Sequence, residues 1–599
     1  MPTLEFKGKQ FVYSHHLGVP FRELQVVPDK SLPADGKKPS LDDNLIIHGD
    51  NLEALKALLP THAGKVDCIF IDPPYNTGNE GWCYNDNVRS PLMKEWLKKA
   101  ANPVDKEDLE RHDKWLCMMW PRINLLYELL SENGSFWITL DDNEVHHARK
   151  ILDEIFGEEC CVGQLAWQKR TSRENRAALS PSIDHLLLYT KGLPDSWRLK
   201  RNLIRASADG DESDSDTKGT IPFSAQGYRK NQVYKITTPT GLILDPPKGR
   251  CWGATESEFE KLKAQERVYW PKNGNGRPRI KPIEGQDKAL VPNTLWLASE
   301  VGDTETSKKR LMEIFSERDE LGIHAPKPHE LVERIIQIST STNSVVLDSF
   351  AGSGTTAHSV LEANKKDGLN RRFILVECED YADSLTAERV RRVIKGYPYA
   401  GTQRMELYRE NITWSTFEKK QAKVLEHIAS IENLHGHEYD TIKKQIKDGV
   451  LTVTGERKVK ETAPGLGGSF TYCVLGEPID IESLLTGKNL PSFEALARYV
   501  FYTATGQSLE KVGKPAPDGL IGETELFRVH LFYQPNREWL RSNDSALNAE
   551  RVTAIEQGNK GGKRAIVFAV AKFMSQKELT SRRIEFCQLP YAVHRILGD

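Results

Sequence analysis

Residues 66–75 read Val-Asp-Cys-Ile-Phe-Ile-Asp-Pro-Pro-Tyr, a mainly apolar run followed at once by a proline turn. The run from Val66 to Ile71 is short and ends abruptly, which indicates a strand buried inside a sheet. The turn begins at Asp72, and its two prolines stiffen the backbone. The sequence therefore predicts a rigid loop directly after a buried strand.

Two stretches alternate strand-like apolar runs with helical patterns, which is typical of an α/β fold with a parallel sheet. The first extends from about Leu45 to Lys191, and the second from about Lys327 to Lys395. The predicted strands are Leu45–His48, Val66–Ile71, Ser135–Leu140, His185–Tyr189, Ser344–Leu347 and Arg372–Val376. The predicted helices are Asn51–Leu59, Leu116–Leu130, Leu331–Ile338 and Thr355–Asn364.

A glycine-rich loop, Phe350-Ala-Gly-Ser-Gly354, lies between a predicted strand and a predicted helix. Gly352 and Gly354 allow the backbone to approach a ligand closely. Thr355 and Thr356 open the helix, where their hydroxyls could bond a ligand carboxylate. The N-terminus of a helix also favours a negatively charged group. The loop is therefore a candidate cofactor-binding loop.

Two acidic side chains follow predicted strands. Glu377 ends the strand after the glycine-rich loop, at the position where dinucleotide-binding folds use an acidic residue to bind ribose hydroxyls. Asp50 ends the first strand and could accept a hydrogen bond from an adenine amine of the cofactor. Asp50 could equally cap the helix that starts at Asn51, and the two roles are compatible.

The Asp72-Pro-Pro-Tyr75 turn has the groups needed to activate an exocyclic amine of a nucleobase. Such an amine is a poor nucleophile, because its lone pair is delocalised into the ring. The Asp72 carboxylate and the Pro73 carbonyl can each accept a hydrogen bond from one N–H group of the amine and so draw electron density toward its nitrogen. Tyr75 offers an aromatic face on which an extruded base can stack. The alternative is that the turn is purely structural.

The composition is that of a globular protein with several domains: 599 residues, of which 39% are hydrophobic and 28% charged. No apolar run is long enough to span a bilayer, and residues 1–10 do not follow a signal-peptide pattern. The nine cysteines are scattered without metal-ligand spacing, so we expect no metal and a reducing cytoplasm. Because the net charge is −2, any nucleic-acid contact must come from local basic patches.

Two missing motifs exclude other chemistries. The sequence has no Pro-Cys dipeptide, which disfavours covalent attack on C5 of cytosine. It also has no phosphate-binding Gly-x-x-x-x-Gly-Lys-Ser/Thr motif, so an ATP-driven motor in this chain is not expected.

The segment from about Gly192 to Glu320 separates the two α/β stretches and has a different composition. It contains an acidic, Ser/Gly-rich part, Asp209–Asp216, that is typical of a mobile loop. Basic and aromatic residues are mixed around it, among them Arg229, Lys230, Arg250 and Trp252. Composition alone leaves two interpretations open: a DNA-facing lobe, or a solvated surface with some core aromatics.

The pattern changes again from about Ile412. Phe417–Lys447 predicts one or two charged helices, and three strand-like runs follow: Ser469–Leu475, Leu526–Tyr533 and Ala565–Ala571. We predict a small α+β domain here. It could bind a partner subunit or DNA, mediate dimerisation, or simply cap the preceding domain.

Taken together, these motifs resemble the permuted, beta-group amino-methyltransferases of DNA, and especially the modification subunits of type III restriction–modification systems. The resemblance rests on His48–Leu55, Ile71–Asn79 and Tyr84–Asp86, on Trp115–Arg122 and Ser135–Glu144, and on Lys327, Pro328, Leu331 and Arg334. Their order along the chain matches the permuted group, because the Asp72 half precedes the Phe350 half. One departure is Ser349, where the family often has proline.

The resemblance implies a Rossmann-like, circularly permuted sheet that binds S-adenosylmethionine. It implies that Asp72, Pro73, Pro74 and Tyr75 orient and stack the target adenine. The implied cofactor contacts are Asp50, Asn51, Lys327, Asp348, Phe350, Gly352, Gly354, Thr355, Thr356 and Glu377, with Lys327 near the methionine end. The implied contacts to the DNA substrate are Asn76, Tyr84, Arg229, Lys230, Arg250 and Trp252.

It also implies an organisation into an N-terminal extension (1–40), a catalytic half (41–192), a target-recognition region (193–320), a cofactor-binding half (321–400) and a C-terminal domain (401–599). Asn76–Asp113 would be a loop that closes over the flipped base. The implied partners are double-stranded DNA, a restriction (nuclease/helicase) subunit and a second copy of the chain. No membrane is implied.

Three other functions remain possible from sequence. The same fold could methylate N4 of cytosine, although an Asp at position 72 instead of Ser favours adenine. The chain could be a catalytically silent DNA-binding subunit, although the intact motifs argue against that. It could also methylate RNA or protein, but the long insert and the permuted order fit duplex DNA better.

Overall fold

The computed structural model describes residues 3–78, 110–174, 178–205, 220–272, 274–281, 289–318, 325–411, 421–447, 450–479 and 490–589. Tyr84, most of the expected closing loop and Asp209–Asp216 lie outside these residues. The chain divides into two compact units, one made of Met1–Arg201 with Thr294–Asp599 and the other of Asn202–Asn293. The second unit covers fewer residues than the expected target-recognition region, 193–320.

A mixed ten-stranded sheet forms the centre of the first unit. Its strands are β1 (Phe21–Val26), β2 (Leu45–His48), β3 (Val66–Ile71), β4 (Leu130–Leu140), β5 (Cys161–Gln168), β6 (Ile183–Thr190), β7 (Leu295–Trp296), β8 (Val345–Asp348), β9 (Arg372–Glu377) and β10 (Thr471–Ile479). The spatial order is β1-β10-β2-β9-β8-β3-β4-β6-β5-β7. The strands from β10 to β4 are parallel, whereas β1 and β6 run antiparallel to their neighbours.

The inner strands are apolar because both of their faces are covered. Every residue of β8 is buried, and Leu45–Ile47 of β2 are fully buried. The flanking helices are α1 (Asn51–His62), α2 (Arg111–Leu129), α3 (Val145–Phe156), α4 (His329–Ser339), α5 (Thr355–Asp367) and α6 (Glu388–Lys395). Helix α1 packs on α2, and α4 packs on α5. This confirms the α/β class with a Rossmann-like, permuted sheet.

The carboxyl ends of β2, β3, β8 and β9 lie at the same edge of the sheet, because these strands are parallel. Their loops are joined there by backbone hydrogen bonds: Gly49 N–H donates to the Glu377 carbonyl at 3.0 Å, and Ala351 N–H to the Val376 carbonyl at 3.1 Å. The fold therefore brings the candidate catalytic turn and the candidate cofactor loop to one edge.

Two expectations about the ends of the chain are wrong. The Ser469–Leu475 run is not part of a separate C-terminal domain, because β10 lies inside the central sheet between β1 and β2. The region 1–40 is likewise no mere extension, since it supplies β1. Tyr472 and Cys473 are fully buried, so this apolar run gains more by joining the sheet than by forming an edge elsewhere.

The expectation of helices throughout Phe417–Lys447 is only partly correct. Gln421–His435 is a helix, but Thr441–Lys447 is a strand that pairs with Val450–Pro464, which in turn pairs with Gly396–Asn411. Strand pairing prevails over the charged composition because Ile442 packs against a small apolar cluster formed by Ile428, Ile431, Leu451 and Val453.

The last part of the chain forms the expected α+β arrangement. Its sheet has the order Leu520–Glu523, Phe527–Leu531, Arg564–Ala569 and Ile584–Gln588, with the last three strands parallel. Two short strands, Ala546–Leu547 and Ala571–Lys572, pair beside it. Its helices are Phe493–Thr505, Arg537–Arg541, Ala549–Gly558 and Gln576–Ser581.

Shorter elements complete the first unit. They are the helices Lys9–Val12, His15–Gly18, Pro194–Lys200, Ala298–Val301 and Thr304–Ile314, the 3₁₀ turns Pro28–Lys30, Glu158–Cys160 and Asn543–Ser545, and the π-helical turn Ala382–Ala387. Within the described ranges, no helix combines the length and the apolar character that a membrane crossing requires.

The second unit consists of two-residue and three-residue strands around one helix, Glu256–Ala264. The strands are Ile204–Arg205, Ile221–Pro222, Ser224–Gln226, Ile236–Thr237, Ile243–Leu244, Arg250–Trp252, Val268–Tyr269, Arg279–Ile280 and Ala289–Leu290. A 3₁₀ turn spans Lys230–Gln232. A small apolar core of Phe223, Ile236, Trp252 and Phe259 holds the unit together.

Candidate active site

Both carboxylate oxygens of Asp72 are held by side chains from neighbouring elements. The Thr139 hydroxyl on β4 donates to Oδ1 at 2.6 Å, and the Lys327 ammonium donates to Oδ2 at 2.6 Å. The Asp72 side chain remains 23% exposed, so it can still be reached from solvent. Each carboxylate oxygen has two lone pairs, which leaves capacity to accept a further N–H. Thr139 was not among the site residues predicted from sequence, and its only signal there is that it is a polar residue within an apolar strand.

Lys327 contacts both candidate loops. Its ammonium group binds Asp72 and lies 4.9 Å from the centre of the Tyr75 ring, while its carbonyl accepts the Thr355 hydroxyl at 3.4 Å. A second ion pair, Lys169 to Asp184 at 2.6 Å, lies close by. The structure thus places the Lys327 ammonium on the Asp72 carboxylate, whereas the sequence predicted that Lys327 lies near the methionine end of the cofactor.

The Tyr75 ring is partly buried against the core, and its hydroxyl is fully buried. Burial, with the nearby carboxylates of Asp72 and Asp184, raises the pKa of the phenol well above its usual value. The adjacent Pro74 carbonyl accepts the Trp115 indole N–H at 2.7 Å, which fixes the turn against α2. Among the described residues, the Pro73 carbonyl receives no hydrogen bond. The turn therefore places an aromatic ring beside two groups that can accept further hydrogen bonds, the Asp72 carboxylate and the Pro73 carbonyl.

Asn76 is not placed to contact substrate, contrary to expectation. It is fully buried with a φ of +60°, and its amide donates to Glu144 and to the Arg111 carbonyl at 3.2 Å. Glu144 is fully buried too and accepts His112 at 2.6 Å and His147 at 2.9 Å. Asn and Asp tolerate the left-handed region better than other side chains, and here the amide anchors the end of the turn.

The glycine-rich loop is shaped by the two glycines that the sequence singled out. Gly352 has φ +51° and Gly354 has φ +77°. The Gly352 N–H donates to the Glu377 carboxylate at 2.7 Å, and its carbonyl accepts the Thr386 hydroxyl at 2.6 Å. A Cβ on Gly352 would meet nothing closer than the Phe350 carbonyl at 3.9 Å, whereas on Gly354 it would lie 3.1 Å from the Thr386 carbonyl. The immediate surroundings of Gly352 are therefore open, whereas those of Gly354 are filled.

Asp348 and Thr356 do not face that space. Both are buried, and the Thr356 hydroxyl and the Phe350 N–H donate to the Asp348 carboxylate. Burial, with the charges of Asp72 and Glu377, raises the pKa of Asp348 to about 7. Their expected role as cofactor contacts is replaced by a structural one: they fix the loop. The Thr355 hydroxyl is similarly engaged, with Arg389 at 2.9 Å.

Asp50 caps helix α1, which was one of its two predicted roles: its carboxylate accepts the N–H groups of Leu52 and Glu53. Its other oxygen lies 3.5 Å from Arg122, and the side chain is 40% exposed. Asn51 is buried and links the two halves, since its amide donates to the Ser349 carbonyl at 3.2 Å. Asn51 in turn accepts the Arg122 guanidinium, a residue that sequence reasoning missed.

Glu377 is the last residue of β9, as the sequence predicted. One oxygen accepts Gly352 N–H at 2.7 Å and the other accepts Glu379 N–H at 3.0 Å. Burial raises the pKa of Glu377. The groups gathered here fit S-adenosylmethionine. The surroundings of Gly352 are open, the Phe350 ring is partly buried, and the carboxylates of Asp50 and Glu377 can accept hydrogen bonds from a nucleoside.

The four residues of the second unit that were expected to contact DNA differ in exposure. Trp252 is fully buried and donates its indole N–H to the Tyr234 carbonyl at 2.7 Å, so its expected role is wrong: it belongs to the core. Arg229, Lys230 and Arg250 are exposed. Arg250 pairs with Gln226 in a two-stranded antiparallel sheet, and Arg229 and Lys230 follow Gln226 closely in sequence. These three remain available for phosphate contacts.

Comparison with known proteins identifies the family. The model of the "DNA methylase" family matches residues 66–388, which is more than half of the chain. The StyLTI Mod subunit of a type III restriction-modification enzyme from Salmonella typhimurium is 32% identical over 350 residues. That match covers 55% of this chain and 52% of the relative, so the chain spans about half the length of that subunit.

A type II methyltransferase and a solved structure also match part of this chain. The type II methyltransferase M.KpnI of Klebsiella pneumoniae is 27% identical, over 55% of this chain and 79% of the relative. The solved structure of PvuII DNA methyltransferase (cytosine-N4-specific) covers 59% of this chain and 89% of its own, at 13% identity and a TM-score of 0.30. On the strength of the family match over residues 66–388, this chain belongs to the DNA methylases.

Proposed function

We propose that this protein transfers a methyl group from S-adenosylmethionine to the N6 amine of adenine in duplex DNA, after the base has been flipped out. The observation that carries the proposal is the double contact of Lys327, whose ammonium holds Asp72 and whose carbonyl accepts Thr355. This contact supports one pocket in which the catalytic turn and the cofactor loop face each other.

The residues of the catalytic turn would orient and activate the amine. The Asp72 carboxylate and the Pro73 carbonyl each accept a hydrogen bond from one of the two N–H groups of the amine, so electron density shifts toward the attacking nitrogen. Thr139 and Lys327 hold the carboxylate in one orientation, which removes the need to reorganise it during attack. The exposed face of Tyr75 stacks the flipped base. S-adenosylmethionine, when bound, supplies an activated methyl group.

The cofactor loop would place that methyl group. Gly352 gives space for the ligand, and Asp50 and Glu377 supply acceptors toward its adenine amine and ribose hydroxyls. The Phe350 ring lies half-exposed at the start of the loop and can pack on the adenine. Asn51, Asp348 and Thr356 would not touch the ligand. They hydrogen-bond to the segment 348–356 and so fix the backbone of the cofactor loop.

Methylation of N4 of cytosine is the alternative, since that amine presents the same pair of N–H bonds. A DNA-binding subunit without activity is a second alternative. Adenine is favoured by the Asp at position 72.

We further propose that Asn202–Asn293 contacts the DNA through Arg229, Lys230 and Arg250. A restriction subunit and a second copy of the chain are the proposed partners, in the cytoplasm, by analogy with relatives named as Mod subunits.

The test is to incubate the full chain with S-adenosylmethionine and duplex DNA of mixed sequence and to digest the DNA to nucleosides. Mass spectrometry then separates N6-methyladenine from N4-methylcytosine. We expect N6-methyladenine, and none with Asp72→Asn, which keeps the shape of the side chain but not its charge. N4-methylcytosine would decide for the cytosine alternative. Normal S-adenosylmethionine binding without any methylated base would decide for a silent subunit.

A further inference from the structure

Arg389 lies directly beneath the glycine-rich loop and is 3% exposed. Its Nη1 donates to the Ser353 hydroxyl at 2.9 Å, to the Ser353 carbonyl at 3.4 Å and to the Thr355 hydroxyl at 2.9 Å. Its Nη2 lies 3.2 Å from His358 Nδ1. The guanidinium is thus bonded to the residues that open helix α5, at the loop proposed to bind the cofactor.

The charge of Arg389 has no counter-ion within the described part of the chain. No carboxylate oxygen there lies within 4.0 Å of the guanidinium, and Nε has no hydrogen-bond partner. Burial and the neighbouring Arg310 lower the pKa of Arg389 to about 9. Burial and Arg389 also lower the pKa of His358 well below its usual value, so the imidazole stays neutral and cannot balance the charge of Arg389. A buried, unpaired cation is costly to keep.

The position adds to this cost. Arg389 contacts the first turn of α5 (Thr355–Asp367), and the N-terminus of a helix already carries a partial positive charge. Two positive features therefore coincide at one point, with open space in front of Gly352 on the ligand side. An anionic ligand group would relieve both at once. Of the groups in S-adenosylmethionine, only the α-carboxylate is an anion.

We infer that Arg389 is a positioning residue for the α-carboxylate of S-adenosylmethionine, acting through Ser353 and Thr355 from beneath the loop. The inference rests on the proposed function and deepens it, since it names a buried residue outside the loop that acts on the bound cofactor. It also explains why a cation is retained at a buried position that has no carboxylate partner.

The experiment compares two ligands that differ by the amino-acid end. S-adenosylhomocysteine carries the α-carboxylate, and 5′-methylthioadenosine shares the adenosine and the thioether but lacks it. Calorimetric titration of the full chain gives both dissociation constants. With Arg389→Gln we expect S-adenosylhomocysteine to bind at least about ten-fold more weakly and 5′-methylthioadenosine to bind as before, on the scale of a charge-assisted hydrogen bond. Arg389→Lys keeps the charge and is expected to restore most of the difference.

Arg371→Gln is the matched control. Arg371 is equally buried but pairs with Asp367 at 2.7 Å, away from the loop, so its loss is expected to lower stability and to leave the ratio of the two affinities unchanged. Arg389→Met is expected to melt no lower than wild type without ligand, because it removes an unpaired buried charge.

Several outcomes would overturn the inference. Equal weakening of both ligands by Arg389→Gln, or an unchanged ratio, would show that the charge does not act on the carboxylate. Failure of both neutral variants to fold would assign Arg389 to structure alone. A wild-type chain that binds neither ligand would instead refute the proposed function itself.

Discussion

The Lys327 ammonium donates to the Asp72 carboxylate at 2.6 Å, across 255 positions of sequence. The side chain of Lys327 is 10% exposed, so water screens this ion pair only weakly. Because the Lys327 carbonyl also accepts Thr355, one residue fixes the distance between the turn that would hold the base and the loop that would hold the cofactor.

Lys327→Met should slow methyl transfer strongly. It leaves a half-buried carboxylate without its cation and held by Thr139 alone, so we expect the rate constant of methyl transfer to fall at least about ten-fold, the scale of a lost charged partner in an active site. Single-turnover methylation at saturating S-adenosylmethionine measures this. Lys366→Met, at an exposed lysine paired with Glu333, is the control. An unchanged rate would mean that Asp72 does not need the ion pair.

Tyr75→Ala should weaken extrusion of the base by roughly 1–3 kcal/mol, the contribution of base–aromatic stacking. Tyr75→Phe keeps the ring and should retain most of the effect. Fluorescence of 2-aminopurine at the target position reports extrusion directly in both variants. If Phe were as damaging as Ala, the buried hydroxyl, and not the exposed ring face, would be the functional group.

Gly352→Ala and Gly354→Ala should fail in different ways. Both positions have positive φ, so both substitutions carry a similar backbone strain of about 1 kcal/mol. At Gly354 the new methyl also contacts the Thr386 carbonyl, and we expect a lower melting temperature than for Gly352→Ala. At Gly352 the methyl projects into open space, where it should weaken S-adenosylhomocysteine binding in calorimetry. Unaltered binding by Gly352→Ala would place the ligand elsewhere.

Asp348 should make stability depend on pH. Its pKa in the folded chain is raised to about 7 from an ordinary 3.8, so the folded state binds the proton more tightly. This stabilisation is complete below about pH 4 and is lost as the pH rises through 7, with a limiting slope of about 1.4 kcal/mol per pH unit. Urea unfolding of wild type and Asp348→Asn at pH 5 and pH 8 tests it: the advantage of wild type should shrink at pH 8. A constant difference would contradict the raised pKa.

Exchange of residues 202–293 for the equivalent unit of a relative should change the DNA sequence that is methylated. The structure supports these boundaries because Asn202–Asn293 forms a compact unit with its own apolar core. Sequencing of DNA from cells expressing the hybrid, with modified-base detection, gives the answer. Retention of the original site would place recognition in the first unit.

The motifs themselves could be found from sequence because their chemistry is local. A turn with two prolines after an apolar strand, and two glycines before a helix, describe Asp72–Tyr75 and Phe350–Gly354 without any tertiary information. The partners of those motifs could not, since Thr139, Arg122 and Arg389 meet them only through strand pairing and helix packing. Trp252 shows the converse error: an aromatic residue among basic ones was assigned to DNA, but its surface is buried in a small core.

The place of β10 in the sheet has a consequence for how the chain can be made and cut. When a ribosome has completed residues 1–400, every side chain proposed to touch cofactor or base has been synthesised, yet β1 still lacks its pairing partner. The flank of β2 that β10 will cover is then a bare sheet edge, which is prone to self-association. A fragment truncated near residue 400 would keep that edge permanently. The part of the chain after residue 400 is therefore needed to cover β2, whatever else it binds.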